Sequence, residues 1–143
     1  MLFLGTYEYA MDERGRLPLP IRFREALSGG IILTQGAPDP CVRAFPAASL
    51  EAQAELYMSE PGTRRKGRLL RRAFFGRSYP AELDRQGRVL IPTPMRRWGN
   101  LESQVVVVGV GEGFEIWDAR TFEEVMAAEA EAYEQTLESV ERR

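Results

Sequence analysis

Residues 11–20 read MDERGRLPLP and residues 83–92 read LDRQGRVLIP, so the chain writes nearly one decapeptide twice and must fold as two related halves. A shift of 72 positions superposes Tyr7 on Tyr79, Asp12 on Asp84, Gly15 on Gly87, Arg16 on Arg88 and Pro20 on Pro92. That is five identities in fourteen positions, where composition alone gives about one. Conservative pairs fill the gaps: Met11 with Leu83, Leu17 with Val89, Leu19 with Ile91. The register also places Arg24 on Arg96, Phe45 on Trp117 and Leu50 on Phe122.

Each copy carries the same signals in the same order, which predicts two β-β-α-β-β-α units. Thr6–Met11 and Ser78–Leu83 read as strands entering a turn, and Arg16–Leu19 and Arg88–Ile91 as strands leaving it. Glu13-Arg14-Gly15 and Arg85-Gln86-Gly87 place glycine last, as a three-residue hairpin loop ending in a left-handed residue requires. Pro20 and Pro94 open short helices that glycine closes at Gly29 and Gly99. Two strands follow in each copy, IILT with CVRAF and QVVVVGV with FEIW, and then a longer helix: Ala47–Met58, and Ala119 to about Val140. In the last helix Phe122, Val125, Met126, Tyr133, Leu137 and Val140 follow near-helical spacing among glutamates.

The expected division is residues 1–58 as the first repeat, 59–76 as a basic connecting helix and 77–143 as the second repeat with a C-terminal amphipathic helix. Leu69, Leu70, Ala73, Phe74 and Phe75 form the expected apolar stripe of the connection. Neither half, at about seventy residues with short strands and no staples, completes a core unaided. The economical fold is mainly β with helices: hairpins from both halves interleave about a pseudo-two-fold axis and close one small barrel, each half covering the other's edges.

Several chemistries are excluded by what the chain lacks. It has no histidine and one cysteine, Cys41, so a Ser-His-Asp triad, a Cys-His pair and an ordinary zinc site are out of reach. No phosphate-binding loop ending in Lys-Ser or Lys-Thr occurs. Catalysis by paired carboxylates stays formally open with 21 Asp and Glu residues, but most sit on expected helix faces where solvation explains them, so an enzyme, a metal and a cofactor are not expected. No apolar run approaches the roughly 18 residues of a membrane span, and the first residues lack a signal peptide's basic start and long apolar stretch, so a cytoplasmic location and no membrane partner are expected.

The net charge of -2 hides an uneven distribution. Between Arg64 and Arg97 eleven basic residues face only Glu82 and Asp84, whereas the segment from Thr121 onward has seven glutamates against Arg142 and Arg143. All but Lys66 of the basic residues are arginine, the side chain suited to bidentate contacts with phosphate, carboxylate or guanine. A basic region within an acidic chain attracts a polyanion locally, although solvated helix faces and intersubunit ion pairs explain the same pattern.

The repeated Asp and Arg have a local reading that needs no ligand: Asp12 and Asp84 accept from loop N–H groups and pair with Arg16 and Arg88, while Gly15 and Gly87 supply the turn's left-handed residue. Duplication adds a second reading. Under pseudo-symmetry both turns emerge on one face and present Arg14, Arg16, Arg85 and Arg88 together. The major groove of duplex DNA admits a two-stranded ribbon, and arginine meets guanine O6 and N7 with two parallel donors.

These residues resemble the MraZ family of bacterial regulators of the division and cell wall gene cluster. The likeness covers essentially the whole chain and is carried by the doubled signature DERGRLPLP and DRQGRVLIP, with FREAL and VVVVGVGEGFEIW following. The resemblance implies an AbrB-like swapped-hairpin barrel formed within one chain. It further implies sequence-specific binding of double-stranded DNA at promoter direct repeats through the turn arginines, a nucleoid association, and a ring-like homo-oligomer. Asp12, Arg16, Asp84 and Arg88 occupy the signature; Arg14 and Arg85 lie in its variable interior. A lysine often precedes the glycine in the family, whereas Arg14 and Gln86 stand here, so the halves are expected to contribute unequally. The alternative is a non-catalytic, ring-forming interaction protein whose turns are purely structural.

Overall fold

The computed structural model describes residues 1–142. In the first repeat β1 (Thr6–Ala10), β2 (Arg16–Pro18), α1 (Ile21–Arg24), β3 (Ile31–Gln35), β4 (Val42–Pro46) and α2 (Leu50–Met58) follow one another. After α3 (Arg65–Phe74) the second repeat runs β5 (Ser78–Ala81), β6 (Arg88–Leu90), α4 (Thr93–Gly99), β7 (Gln104–Gly109), β8 (Phe114–Asp118) and α5 (Ala119–Glu141).

The strands form a six-stranded antiparallel sheet in the order β1-β7-β8-β4-β3-β5 and a separate two-stranded ribbon, β2-β6. Exchanging each strand for its counterpart in the other repeat reverses the sheet order without changing it, which is the mark of a pseudo-two-fold axis. That axis passes through two cross-strand pairs whose members lie 72 positions apart, Leu17↔Val89 in the ribbon and Arg43↔Glu115 between β4 and β8. The predicted mixed, mainly β fold with two interleaved halves is therefore observed.

Interleaving corrects one local expectation. The strands flanking each turn do not stay together as a hairpin ladder: β1 pairs with β7, β5 with β3, and β2 with β6. A three-residue strand such as β2 is too short to anchor an isolated hairpin. By parting, β1 gains a five-pair ladder against the valines of β7, and each half supplies the other's missing neighbour.

Period-two alternation then sorts the sheet residues onto two faces. On one face Leu33, Val42, Ala44, Val105, Val107, Phe114 and Ile116 share a core with Leu17, Leu19, Val89 and Ile91 of the ribbon segments and with Phe23 and Met95 of α1 and α4. Leu17 and Val89 are fully buried, each worth about 1.5–3 kcal/mol relative to exposure. On the other face Ile32 and Phe45 meet Ala54 of α2 and Phe74 of α3, while Val106 and Trp117 meet Phe122 and Val125 of α5. The ribbon and the layer α2, α3 and α5 thus lie on opposite sides of the sheet.

Two helix expectations need amendment. Helix α1, about one turn long, stops at Arg24 and is not closed by Gly29, and α4 ends at Gly99 with Asn100 as its left-handed cap at φ 52°. In α3 the predicted stripe is not buried as a unit. Phe74 is buried and Leu70 half-buried, but Leu69, Ala73 and Phe75 are exposed, because the inward face is Gly67, Leu70, Arg71 and Phe74. Helix α5 matches its expected extent and is capped by Asp118, whose carboxylate accepts from the Thr121 backbone N–H at 3.0 Å. No helix among the described residues is long and apolar enough to cross a membrane.

Candidate nucleic-acid interface

Each turn is built by one aspartate serving three donors. Asp12 Oδ1 accepts from the backbone N–H groups of Arg14 and Arg16, both at 2.9 Å, and its Oδ2 accepts from Arg16 Nε at 2.6 Å. Asp84 repeats the pattern with Gln86 and Arg88 N–H at 2.9 Å and Arg88 Nε at 2.9 Å. Backbone bonds close both loops: Gly15 N–H donates to Asp12 C=O at 3.0 Å, and Gly87 N–H to Asp84 C=O at 3.0 Å. Gly15 and Gly87 have φ of 87° and 76°, a region that costs a side-chain-bearing residue about 1–2 kcal/mol.

The charged form of each aspartate is favoured for a local reason. The Arg16 backbone N–H is the main influence holding the Asp12 carboxyl below its ordinary value, with the Arg16 side chain and the Arg14 N–H adding to it against partial desolvation. Asp84 is lowered in the same way, chiefly by the Arg88 backbone N–H and then that of Gln86.

Turn and ribbon bring the two signatures together. Arg88 Nη1 stands 3.9 Å from Asp12 Oδ2, so the second repeat's arginine faces both its own aspartate and the first repeat's. In the ribbon Arg16 lies opposite Leu90 and Pro18 opposite Arg88. Leu17 and Val89 point into the core, so these four flanking residues occupy the outward face by alternation. The side chains of Arg16 and Arg88 are 35% and 27% exposed, and Arg14 and Arg85 are exposed at the loop tips.

Each turn also rests on the opposite repeat. Ile91 N–H donates to Gly15 C=O at 2.8 Å, and Leu19 N–H donates to Gly87 C=O at 3.2 Å. A Cβ on Gly15 would lie 2.8 Å from Arg96 Nε and 3.0 Å from the Ile91 carbonyl oxygen, while one on Gly87 would overlap the Arg24 guanidinium. Arg24 is held there by its Nε donating to Leu19 C=O at 3.1 Å.

All four nominated arginines, together with Asp12, Gly15, Asp84 and Gly87, therefore fall in one neighbourhood. Three participants were not singled out by motif. Arg24 and Arg96 seat the turns, and their only advance signal is their coincidence in the 72-residue register. Leu90, 55% exposed beside Arg16, reads in sequence as an ordinary strand residue. Cys41 stands apart from this surface, fully buried, and burial pushes its thiol up to about 12.

Comparison with known proteins adds an independent line. A family model described as "MraZ protein, putative antitoxin-like" matches residues 2–72 and 74–142. The chain is 41% identical over 127 residues to a protein of Roseiflexus castenholzii, covering 89% of this chain and 88% of that one. It is 36% identical over 140 residues to one of Dehalococcoides mccartyi, covering 98% and 99%. It is 37% identical over 142 residues to one of Lactiplantibacillus plantarum, covering 97% and 98%. All three are named "Transcriptional regulator MraZ".

Proposed function

The chain belongs to the MraZ family, and on that premise we propose that it is a transcriptional regulator, not an enzyme, that binds double-stranded DNA through its paired turns. The observation that carries this reading is the placement of Arg16 and Arg88 on the outward face of a ribbon to which both repeats contribute. A two-stranded ribbon fits the major groove, and a guanidinium meets guanine with two parallel donors. Asp12 and Asp84 act as positioning residues. By holding each arginine at Nε they leave terminal nitrogens, both of those on Arg16 and the Nη2 of Arg88, for a base or phosphate and reduce the freedom lost on binding. Arg14 and Arg85 at the tips add phosphate contacts.

The turns alone make a modest electrostatic surface, since Asp12, Glu13 and Asp84 offset most of the four arginines. One subunit then binds weakly. Several subunits in a ring, facing direct repeats in a promoter of the division and cell wall cluster, multiply weak contacts into usable affinity when the spacings match.

A gel-shift titration tests this with the duplex upstream of the protein's own coding region and a scrambled duplex as control. Arg16→Ala or Arg88→Ala should each weaken specific binding about 10- to 100-fold, from about 1–3 kcal/mol per bidentate base contact, with the melting temperature preserved. Wild-type affinity in the double variant would leave the turns as purely structural elements of an interaction protein.

A further inference from the structure

Helix α5 is seated only at its start. Ala119, Phe122 and Val125 pack beside Cys41, Val106 and Trp117, but from Met126 onward every described residue is exposed. Along that free portion Met126, Ala130, Tyr133, Leu137 and Val140 recur at alternating steps of four and three, the 3.5-residue period of a seam that packs against another helix. Tyr133 is 58% exposed, Leu137 45% and Val140 48%, so the seam is an open apolar face. Glu129, Glu134 and Glu141 flank the seam. Seven glutamates against the single Arg120 within α5 disfavour pairing with another α5, where carboxylates would face carboxylates.

Helix α3 offers the complementary surface. Arg65, Lys66, Arg68, Arg71 and Arg72 stand in it without an acidic residue. Its inward face is committed: Gly67 is pressed against the Pro61 carbonyl so closely that a Cβ would overlap it, and Arg71 donates to Glu60 C=O at 2.6 Å. The opposite stripe, Arg65, Arg68, Leu69 and Arg72, is exposed. Among the described residues none of its three arginines meets a carboxylate within 4.0 Å. This stripe lies across the sheet from the turns, away from a duplex held by them.

We propose that the acidic seam of α5 in one copy seats on the Arg65-Arg68-Leu69-Arg72 face of α3 in a second copy. The inference rests on the assembly part of the proposed function and names its surfaces. Leu69 enters the seam between Tyr133 and Leu137, and the arginines meet the flanking glutamates. Because the two surfaces differ and sit at different places on the molecule, each copy passes the contact on head to tail, and such a chain closes into a ring when the rotation per subunit divides a full turn.

Sedimentation velocity on the full chain tests the pairing, with far-UV circular dichroism as a check on folding. The triple variant Arg65→Glu, Arg68→Glu, Arg72→Glu and the triple variant Glu129→Lys, Glu134→Lys, Glu141→Lys should each fall to monomer, and their equimolar mixture should recover larger species. If a reversal unfolds the chain, the neutral triples Arg→Gln and Glu→Gln at the same positions should each raise the dissociation constant several-fold, and no further when combined. Assembly untouched by either set overturns the pairing while leaving assembly standing, as does a mixture that stays monomeric. Intact assembly with lost DNA binding in the α3 variant assigns that face to nucleic acid and overturns it too. A wild type that is monomeric at all concentrations removes the assembly reading itself.

Discussion

The two turns make the same five hydrogen bonds within themselves yet stand in different surroundings. Asp12 faces two arginines, its own Arg16 and the other repeat's Arg88, whereas among the described residues Asp84 pairs only with Arg88. Arg24, behind Gly87, has an acceptor for its Nε, while Arg96, behind Gly15, keeps a buried Nε without one and bonds Thr93 Oγ1 through Nη2 at 3.0 Å. Beside Arg16 stands the exposed Leu90, and beside Arg88 the half-buried Pro18. Duplication has preserved the brace and let its neighbours diverge, which separates what the loop needs in order to form from what its environment adds.

The sharpest way to break this comparison is at the glycines. Gly15→Ala and Gly87→Ala should each cost about 1–2 kcal/mol from the left-handed backbone, read as a lowered melting temperature. The second site should be partly relieved by also removing Arg24, because the obstruction at Gly87 is the end of a flexible side chain. Removing Arg96 should not relieve Gly15→Ala to the same extent, because the Ile91 carbonyl remains 3.0 Å away. Equal relief at both sites would mean that the seats are equivalent after all.

A smaller effect is expected from the aspartates. Asp12→Ala should weaken DNA binding several-fold more than Asp84→Ala in the same gel-shift titration, since it releases Arg16 and removes the second carboxylate facing Arg88. Equal losses, or a larger one from Asp84→Ala, would show that the 3.9 Å contact between the repeats contributes nothing to holding the arginines.

The smallest effect appears only in acid. Both carboxyls lie below their ordinary value of 3.8 in the folded chain, so the unfolded chain binds protons first as pH drops. The stabilisation from the braces is complete above that value and is lost as pH falls through the lowered folded values. Loop amide signals of residues 13–16 and 85–88 should shift in that window, and the variant with Asp12→Asn and Asp84→Asn should lack the response. A transition near neutral pH would point to some other group.

Much of the site was legible because it is local. Asp12 and Arg16 are four residues apart, the loop between them closes on a glycine, and every bond of the brace lies within five residues, so one decapeptide suffices to predict it. The partners of that brace were not legible in the same way. Nothing in TYEYA names β7 as its neighbour, and nothing in Arg24 says that it backs Gly87, because alternation tells which side of a strand is apolar and not which other strand will cover it. The stripe in α3 departs from its expected burial for the same reason: five apolar residues compete for one sheet face, and the close seat of Gly67 against Pro61 selects which of them is turned inward.

From the residues in order come the repeat, the element types, the braced turns and the exclusion of histidine-dependent chemistry, all settled by hydrogen bonds and side-chain periods that span a few positions. Tertiary structure alone decided that the strands leaving each turn part company, that Arg88 reaches Asp12, and that the ribbon belongs to both halves. Those choices follow from burying one core that neither half can fill, and a shared core is a property of distant segments meeting.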